Sequence, residues 1–192
     1  MENSVHAIER KFALDTNCIV ALEDSRPEAV HVKTLIAASE DQKIELAVVA
    51  VSASENSKAG SSTRSYSDFE ARLSGVGLGG AKQLYPLAIW DVFYWDHALW
   101  STTEMEKLAA DLREVLFPNV QFVPDAESET RSRWRNQLCD VLVAWCCIYH
   151  RWEYLVTSDR NFHNRRRELA QVGLRGIVTP IQACELLNVD LS

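Results

Sequence analysis

Apolar residues along this chain occur in two patterns: short continuous runs, and longer stretches in which they recur every three or four positions. Short β-branched runs are typical of strands buried on both faces, and the wider spacing is typical of amphipathic helices. The runs predict strands at 11–14, 44–51, 120–123, 153–157 and 176–179. The periodic stretches predict helices at 19–22 with 29–38, 54–59, 103–118, 128–150, 165–172 and 180–187. Strands that alternate with helices predict an α/β fold, a three-layer sandwich around a mostly parallel central sheet.

One segment departs from this alternation. Residues 60–80 are rich in Ser, Thr and Gly, which predicts a loop or an insertion. An aromatic cluster follows, made of Trp90, Phe93, Tyr94, Trp95 and Trp100. Three interpretations of the cluster stay open: packing within the insertion, an interface with a second copy or an inhibitor, or a platform on which bases stack. The sequence therefore predicts a single domain over 1–192 with an insertion at about 60–100.

Composition bounds the class of protein. A chain of 192 residues with 47% apolar and 24% charged residues has the balance of one globular domain with a sizeable core. The longest apolar run, 141–149, is far short of the ~20 residues that cross a bilayer. The first dozen residues lack the apolar core of a signal peptide, so we expect a cytoplasmic protein. Five cysteines without a Cys-x-x-Cys pair predict buried thiols in a reducing compartment.

Charge is distributed unevenly along the chain. The segment 131–175 contains nine arginines against four acids, a net charge of +5, although the whole chain carries −7. The remainder therefore carries −12. A basic segment on an acidic body favours contact with a polyanion at one face. The alternative is that Arg165, Arg166 and Arg167 are the solvated side of a helix.

Acidic residues follow the predicted strands. Asp15 comes directly after the first strand, Glu55 shortly after the second, and Asp159 after the strand at 153–157. Parallel sheets place their sites at the carboxyl ends of the strands, so these acids are candidates for one site. Each has a plainer alternative: a helix N-cap for Asp15, an exposed first-turn acid for Glu55, and a turn residue for Asp159. Asp140 interrupts an apolar helix, where a carboxylate needs a partner.

Convergence of such acids carries an electrostatic cost. Two carboxylates ~4 Å apart repel by roughly 4 kcal/mol at an effective dielectric constant near 20. Divalent Mg²⁺ or Mn²⁺ removes that repulsion, because these ions prefer carboxylate and water oxygens. Such ions also activate water and stabilise the leaving oxygen in phosphodiester cleavage.

Four short motifs then resemble one known family. They are FALDTN at 12–17, SASE at 52–55, DVLVA at 140–144 and TSDRNF at 157–162. In order and context they are similar to the motifs of PIN-domain nucleases, and the resemblance covers nearly the whole chain apart from about 60–100. The stretch between Glu55 and Asp140 is longer than in compact toxins of that family.

The resemblance implies a site and an activity. It implies that Asp15, Glu55, Asp140 and Asp159 are catalytic residues that ligate Mg²⁺ or Mn²⁺. It also implies that four neighbouring groups orient these ligands or a water molecule: the hydroxyls of Thr16 and Ser158 and the amides of Asn17 and Asn161. Members of the family are mostly ribonucleases, and many are VapC-type toxins held by an antitoxin protein.

The sequence thus predicts a divalent-metal-dependent endoribonuclease that hydrolyses RNA phosphodiester bonds. The toxin of a toxin–antitoxin pair is one role that the resemblance implies. RNA contacts are expected from Arg160, Arg165, Arg166 and Arg167. The competing hypothesis is a PIN-like interaction module with an idle nuclease site that binds RNA or a protein partner.

Overall fold

The computed structural model describes residues 10–50, 66–87, 102–118, 120 and 128–189. Over these ranges the strands are β1 Arg10–Leu14, β2 Ile44–Val49, β3 Lys82–Leu84, β4 Tyr154–Val156 and β5 Gly176–Val178. The helices are α1 Thr16–Glu23, α2 Ala29–Glu40, α3 Tyr66–Gly75, α4 Thr103–Leu116, α5 Ser128–Tyr149, α6 Arg160–Asn164, α7 Arg166–Gln171 and α8 Pro180–Val189.

The five strands form one sheet in the order β3-β2-β1-β4-β5, and every pair is parallel. From β1 at the centre, the chain first adds β2 and β3 on one side. It later returns to add β4 and β5 on the other side. The reversal of direction lies between β1 and β4, and open α/β sheets bind their ligands at such a point, beyond the carboxyl ends of the strands.

Helices cover both faces of the sheet. Along β1 the side chains alternate between the faces, so Ala13 packs in one apolar cluster while Phe12 and Leu14 pack in the other. The first cluster is formed with α4, α5 and α7, and the second with α1, α2, α3 and α8. Burial on both faces explains why apolar residues stand at successive positions in β1 (12–14) and in β2 (46–49). The predicted α/β fold with a parallel central sheet between helical layers is confirmed.

Helix α5 is the longest of the described helices, and its second half is almost wholly buried. Cys139, Cys146 and Cys147 lie in that half, and each has a free, buried thiol. Cys18 is also free and buried, whereas Cys184 is half-buried. The predicted burial of the thiols is confirmed for four of the five. In the described part of the chain, no helix combines the length and the apolarity needed to span a membrane.

The region 60–80 differs from its prediction. It contains α3, whose buried Phe69 and Leu73 face the sheet, and β3 follows directly as an edge strand beside β2. Spacing of Tyr66, Phe69 and Leu73 at intervals of three and four is a helical pattern that the surrounding Ser and Gly residues obscure. Part of the expected insertion is therefore built into the central sheet. The aromatic cluster at 90–100 and the helix expected at 54–59 lie outside the described residues. So does the strand expected at 120–123, except for Val120, which is exposed and belongs to no strand.

Candidate functional site at the ends of β1 and β4

The site begins where two neighbouring strands end together. Leu14 lies opposite Val156 in the register of β1 and β4, so the next residues, Asp15 and Thr157, emerge side by side. The Asp15 backbone N–H donates to the Val156 carbonyl at 3.0 Å, which extends the pairing by one residue. Asp15 and Thr157 thus sit at the point where the strand order reverses.

Asp15 is held by three donors in a buried position. It is the N-cap of α1, and its Oδ1 accepts from the Thr16 backbone N–H at 2.7 Å. Its Oδ2 accepts from the Asn17 side-chain amide at 3.0 Å and from the Thr157 hydroxyl at 2.7 Å. Only 4% of Asp15 is exposed. The N-cap alternative is therefore correct for this residue, and it leaves open a second role for the same carboxylate.

Burial sets the electrostatics of this carboxylate. Removal from water raises the pKa of Asp15, and the nearby charge of Asp159 raises it further. The hydrogen bonds from Thr157, Thr16 and Asn17 act in the opposite direction, because each stabilises the ionised form. Among the described residues, no basic side chain forms a salt bridge with Asp15. The site thus holds a carboxylate that gains from a nearby cation.

Thr157 connects the two acids, a role that was not predicted from the sequence. Its hydroxyl donates to Asp15 Oδ2 and accepts the Asp159 backbone N–H at 3.0 Å. Its own backbone N–H donates to the Val178 carbonyl at 2.9 Å, and the residue is fully buried. Ser158, the hydroxyl expected beside the acids, is exposed. Only the register of β1 against β4, which the structure supplies, places Thr157 rather than Ser158 opposite Asp15.

Asp159 is the more open of the pair. It is half-buried and caps α6, with Oδ1 accepting the Asn161 backbone N–H at 2.7 Å. Within the described chain Oδ2 accepts no hydrogen bond. The Asn161 side-chain amide is used elsewhere, because it donates to the Leu116 carbonyl at the end of α4 at 3.3 Å. Asp159 therefore keeps one carboxylate oxygen for a ligand.

The other two expected acids are placed differently. Asp140 is half-buried on α5, two turns before Cys147. The pKa of the Cys147 thiol is raised by burial and also by the charge of Asp15, so this face of α5 lies near the site. Seven residues of helix rise ~10.5 Å, which separates Asp140 from Cys147 along the axis. Glu55 lies outside the described residues.

A metal-binding group of three is not formed within the described ranges. No three or more His, Cys, Asp or Glu side chains there are grouped to hold an ion. Convergence of Asp140 and Glu55 with the pair therefore stays a prediction. Asp15 and Asp159 still fit a hard cation, because Mg²⁺ commonly binds through one or two carboxylates and keeps several waters. A carboxylate has about four acceptor sites, of which described donors occupy three on Asp15 and one on Asp159.

Basic residues follow Asp159 closely in the sequence. Arg160 is exposed in the first turn of α6, immediately after Asp159. Arg166 and Arg167 are exposed at the start of α7, whereas Arg165 is half-buried with its Nη1 3.9 Å from Glu168 Oε1. The solvated-helix alternative thus describes Arg166 and Arg167. Their exposure also leaves them accessible to a phosphate backbone.

The chain matches no protein-family model, no curated protein and no solved structure. The resemblance to PIN-domain nucleases accordingly stays a prediction from four short motifs. What the structure adds is the physical contact between two of them, FALDTN and TSDRNF, through the Asp15–Thr157 hydrogen bond.

Proposed function

We propose that this protein is a divalent-metal-dependent endoribonuclease with Asp15 and Asp159 at its centre. One observation carries the proposal: at the reversal point of a parallel sheet, the Thr157 hydroxyl joins the carboxylate of Asp15 to the backbone N–H of Asp159. Asp15 is buried there without a cationic partner among the described residues. A buried charge without a partner is costly, and a protein that keeps one at a binding crevice has reason to bind the opposite charge there.

Mg²⁺ or Mn²⁺ is the class of ion that this donor set favours. All candidate ligands are carboxylates, and Mg²⁺ and Mn²⁺ prefer such hard oxygen donors. Asp15 and Asp159 would hold the ion, with Asp140 and Glu55 as the further ligands that the sequence predicts. Bound there, the ion would activate water and offset negative charge on the phosphodiester.

The chain's own groups have separable tasks in this proposal. Thr16, Asn17 and Thr157 fix the orientation of the Asp15 carboxylate through their hydrogen bonds. Arg160, Arg166 and Arg167 lie beyond Asp159 and would attract the phosphate backbone toward the crevice. RNA, rather than DNA, follows from the resemblance, because the family is composed mostly of ribonucleases.

Cleavage of a mixed RNA pool by the purified protein tests the proposal. We expect cleavage with millimolar Mn²⁺ and none with a chelator. Asp159→Asn should lose cleavage, because the amide keeps the shape but removes the charge that binds the ion. Asp111→Asn is the matched control, since Asp111 is exposed on α4 and the substitution is chemically the same. A single-stranded DNA pool of the same length tests the choice of RNA.

Two outcomes would contradict the proposal. RNA that binds but stays intact with Mn²⁺ would favour the interaction module with an idle site. Cleavage at the parent rate in Asp159→Asn would indicate a contaminating nuclease.

A further inference from the structure

A half-buried histidine completes the strand end that carries Asp159. Strand β4 ends at Val156, and Thr157 is fully buried, so its carbonyl needs a partner inside the protein. His163 supplies it: the ring Nε2 lies 2.9 Å from the Thr157 carbonyl oxygen. A carbonyl only accepts hydrogen bonds, so Nε2 carries the proton in this contact.

The contact between His163 and Thr157 closes a short backbone loop that contains Asp159. Thr157 and His163 form its ends, the Thr157 hydroxyl accepts the Asp159 backbone N–H, and Asp159 Oδ1 accepts the Asn161 backbone N–H. Helix α6, which carries His163, has five residues and is too short to be stable alone. Side-chain contacts such as this one must therefore hold it in place, together with the buried ring of Phe162.

We infer that His163 is a positioning residue for the metal ligands, acting through the Thr157 carbonyl on the Thr157 hydroxyl and on the Asp159 loop. This inference rests on the proposed function. Without the imidazole of His163, the Thr157 carbonyl loses its buried partner, and the peptide group between Thr157 and Ser158 is free to rotate. That rotation would move both the hydroxyl that binds Asp15 and the backbone that carries Asp159. His163 itself need not contact the ion or the RNA.

The test compares His163→Leu with His163→Gln. Gln places an amide N–H near the position of Nε2 and can donate to the carbonyl, whereas Leu keeps bulk and cannot donate. We expect His163→Leu to raise the Mn²⁺ concentration for half-maximal RNA cleavage by up to about tenfold, because the loss of a direct partner of a metal ligand costs about ten- to hundredfold and His163 acts one step further out. The Mn²⁺ concentration for the half-maximal rise in melting temperature should increase by the same factor, which tests metal binding without cleavage. His163→Gln should stay near the parent, and the KM for RNA should stay unchanged in both variants.

His150 offers a matched control. Its Nε2 also lies 2.9 Å from a backbone carbonyl, that of Tyr85, and it is also half-buried. Tyr85 follows β3, which β2 and β1 separate from β4. His150→Leu should therefore cost similar thermal stability without changing the Mn²⁺ requirement.

The outcomes separate the inference from the proposed function. A parent protein that cleaves no RNA refutes the function, and with it the inference, before any variant is made. With an active parent, the inference alone is overturned if His163→Leu keeps the parental Mn²⁺ requirement. It is also overturned if His150→Leu shifts that requirement equally, or if folded His163→Gln is as impaired as His163→Leu.

Discussion

The ends of β1 and β4 carry the same functional group in opposite environments. Asp15 is buried and accepts three hydrogen bonds, whereas Asp159 is half-buried and accepts one from its own loop. The first carboxylate is rigid and poorly solvated, and the second is open. Yet a single hydroxyl, that of Thr157, contacts both residues.

This difference suggests a division of labour between the two acids. A desolvated carboxylate attracts a cation strongly, because little water competes with or screens the interaction. An open carboxylate would let the proposed ion and its waters enter, since one of its oxygens is not occupied by described donors. A site with two buried acids would be hard to reach, and one with two open acids would bind weakly.

The largest expected effect comes from neutralising either acid. If the proposed function is correct, Asp15→Asn and Asp159→Asn should each reduce RNA cleavage by orders of magnitude, because each removes charge from the proposed metal site. The double variant should be scarcely worse than either single one, since residues that act as a unit have non-additive effects. The measurement is initial cleavage rate at saturating Mn²⁺. Asp24→Asn combined with Asp111→Asn, two exposed positions, controls for the double change. Multiplicative losses in the double variant would mean that the acids act separately.

The second-largest effect is expected from removing the Thr157 hydroxyl, which links the two acids. Thr157→Val keeps the shape but leaves the Asp159 N–H without its partner and removes a donor from Asp15. Leaving a buried polar group unsatisfied costs about 1–3 kcal/mol, so the free energy of unfolding should fall by that amount. Urea denaturation measures it, and Thr157→Ser should lose much less.

Thr34 provides the control for this loss. Its hydroxyl donates to the Val30 carbonyl within α2 at 3.1 Å, in an exposed position where water can replace it. Thr34→Val should therefore change stability little. Equal losses at both positions would show that the shared hydroxyl has no special role.

The same comparison shows which elements could be predicted from the sequence. β1 and β2 are recognisable because burial on both faces demands apolar residues at successive positions, which are 12–14 in β1 and 46–49 in β2. β3, Lys82–Leu84, has a single apolar residue, so no apolar run marks it in the sequence, in contrast to the equally short β4 and β5. Its place in the sheet depends on pairing with β2 and on the packing of α3, neither of which is local information.

The candidate site, too, could be predicted only where the signal is local in the sequence. Asp15 and Asp159 were identifiable from a local pattern, because Asp15 directly follows β1 and Asp159 comes three residues after the end of β4. Thr157 was not, because its importance comes from standing opposite Asp15 across two strands that are 142 residues apart in the chain. The structure supplies that register, which the order of residues alone leaves open.

A smaller effect concerns pH in the metal-free protein. Below the ordinary carboxyl pKa of 3.8, Asp15 is protonated in both the folded and the unfolded chain. As the pH rises above 3.8, the unfolded chain loses this proton first, because burial raises the pKa of folded Asp15. The free energy of unfolding therefore falls, by at most ~1.4 kcal/mol per pH unit, until the folded group also ionises.

Asp15→Asn should remove this contribution. The stability of the parent minus that of Asp15→Asn should decline as the pH rises from 3.8, with chelator present throughout. Asp111→Asn serves as the control, because Asp111 lies exposed on α4. A difference that stays flat or increases with pH would contradict the assigned effect of burial.

The smallest expected effect concerns the arginines beyond Asp159. Replacing Arg165, Arg166 and Arg167 by Gln should weaken RNA binding and flatten its dependence on salt. Each lost phosphate contact removes about 0.7 from the slope of log affinity against log salt for single strands. Arg165 is half-buried near Glu168, so we expect a change close to that of two contacts, about 1.4. Arg151→Gln, an exposed change between α5 and β4, is the control. An unchanged slope in the triple variant would mean that RNA phosphates do not contact these three arginines. The RNA would then approach the open side of Asp159 across a different part of the protein surface.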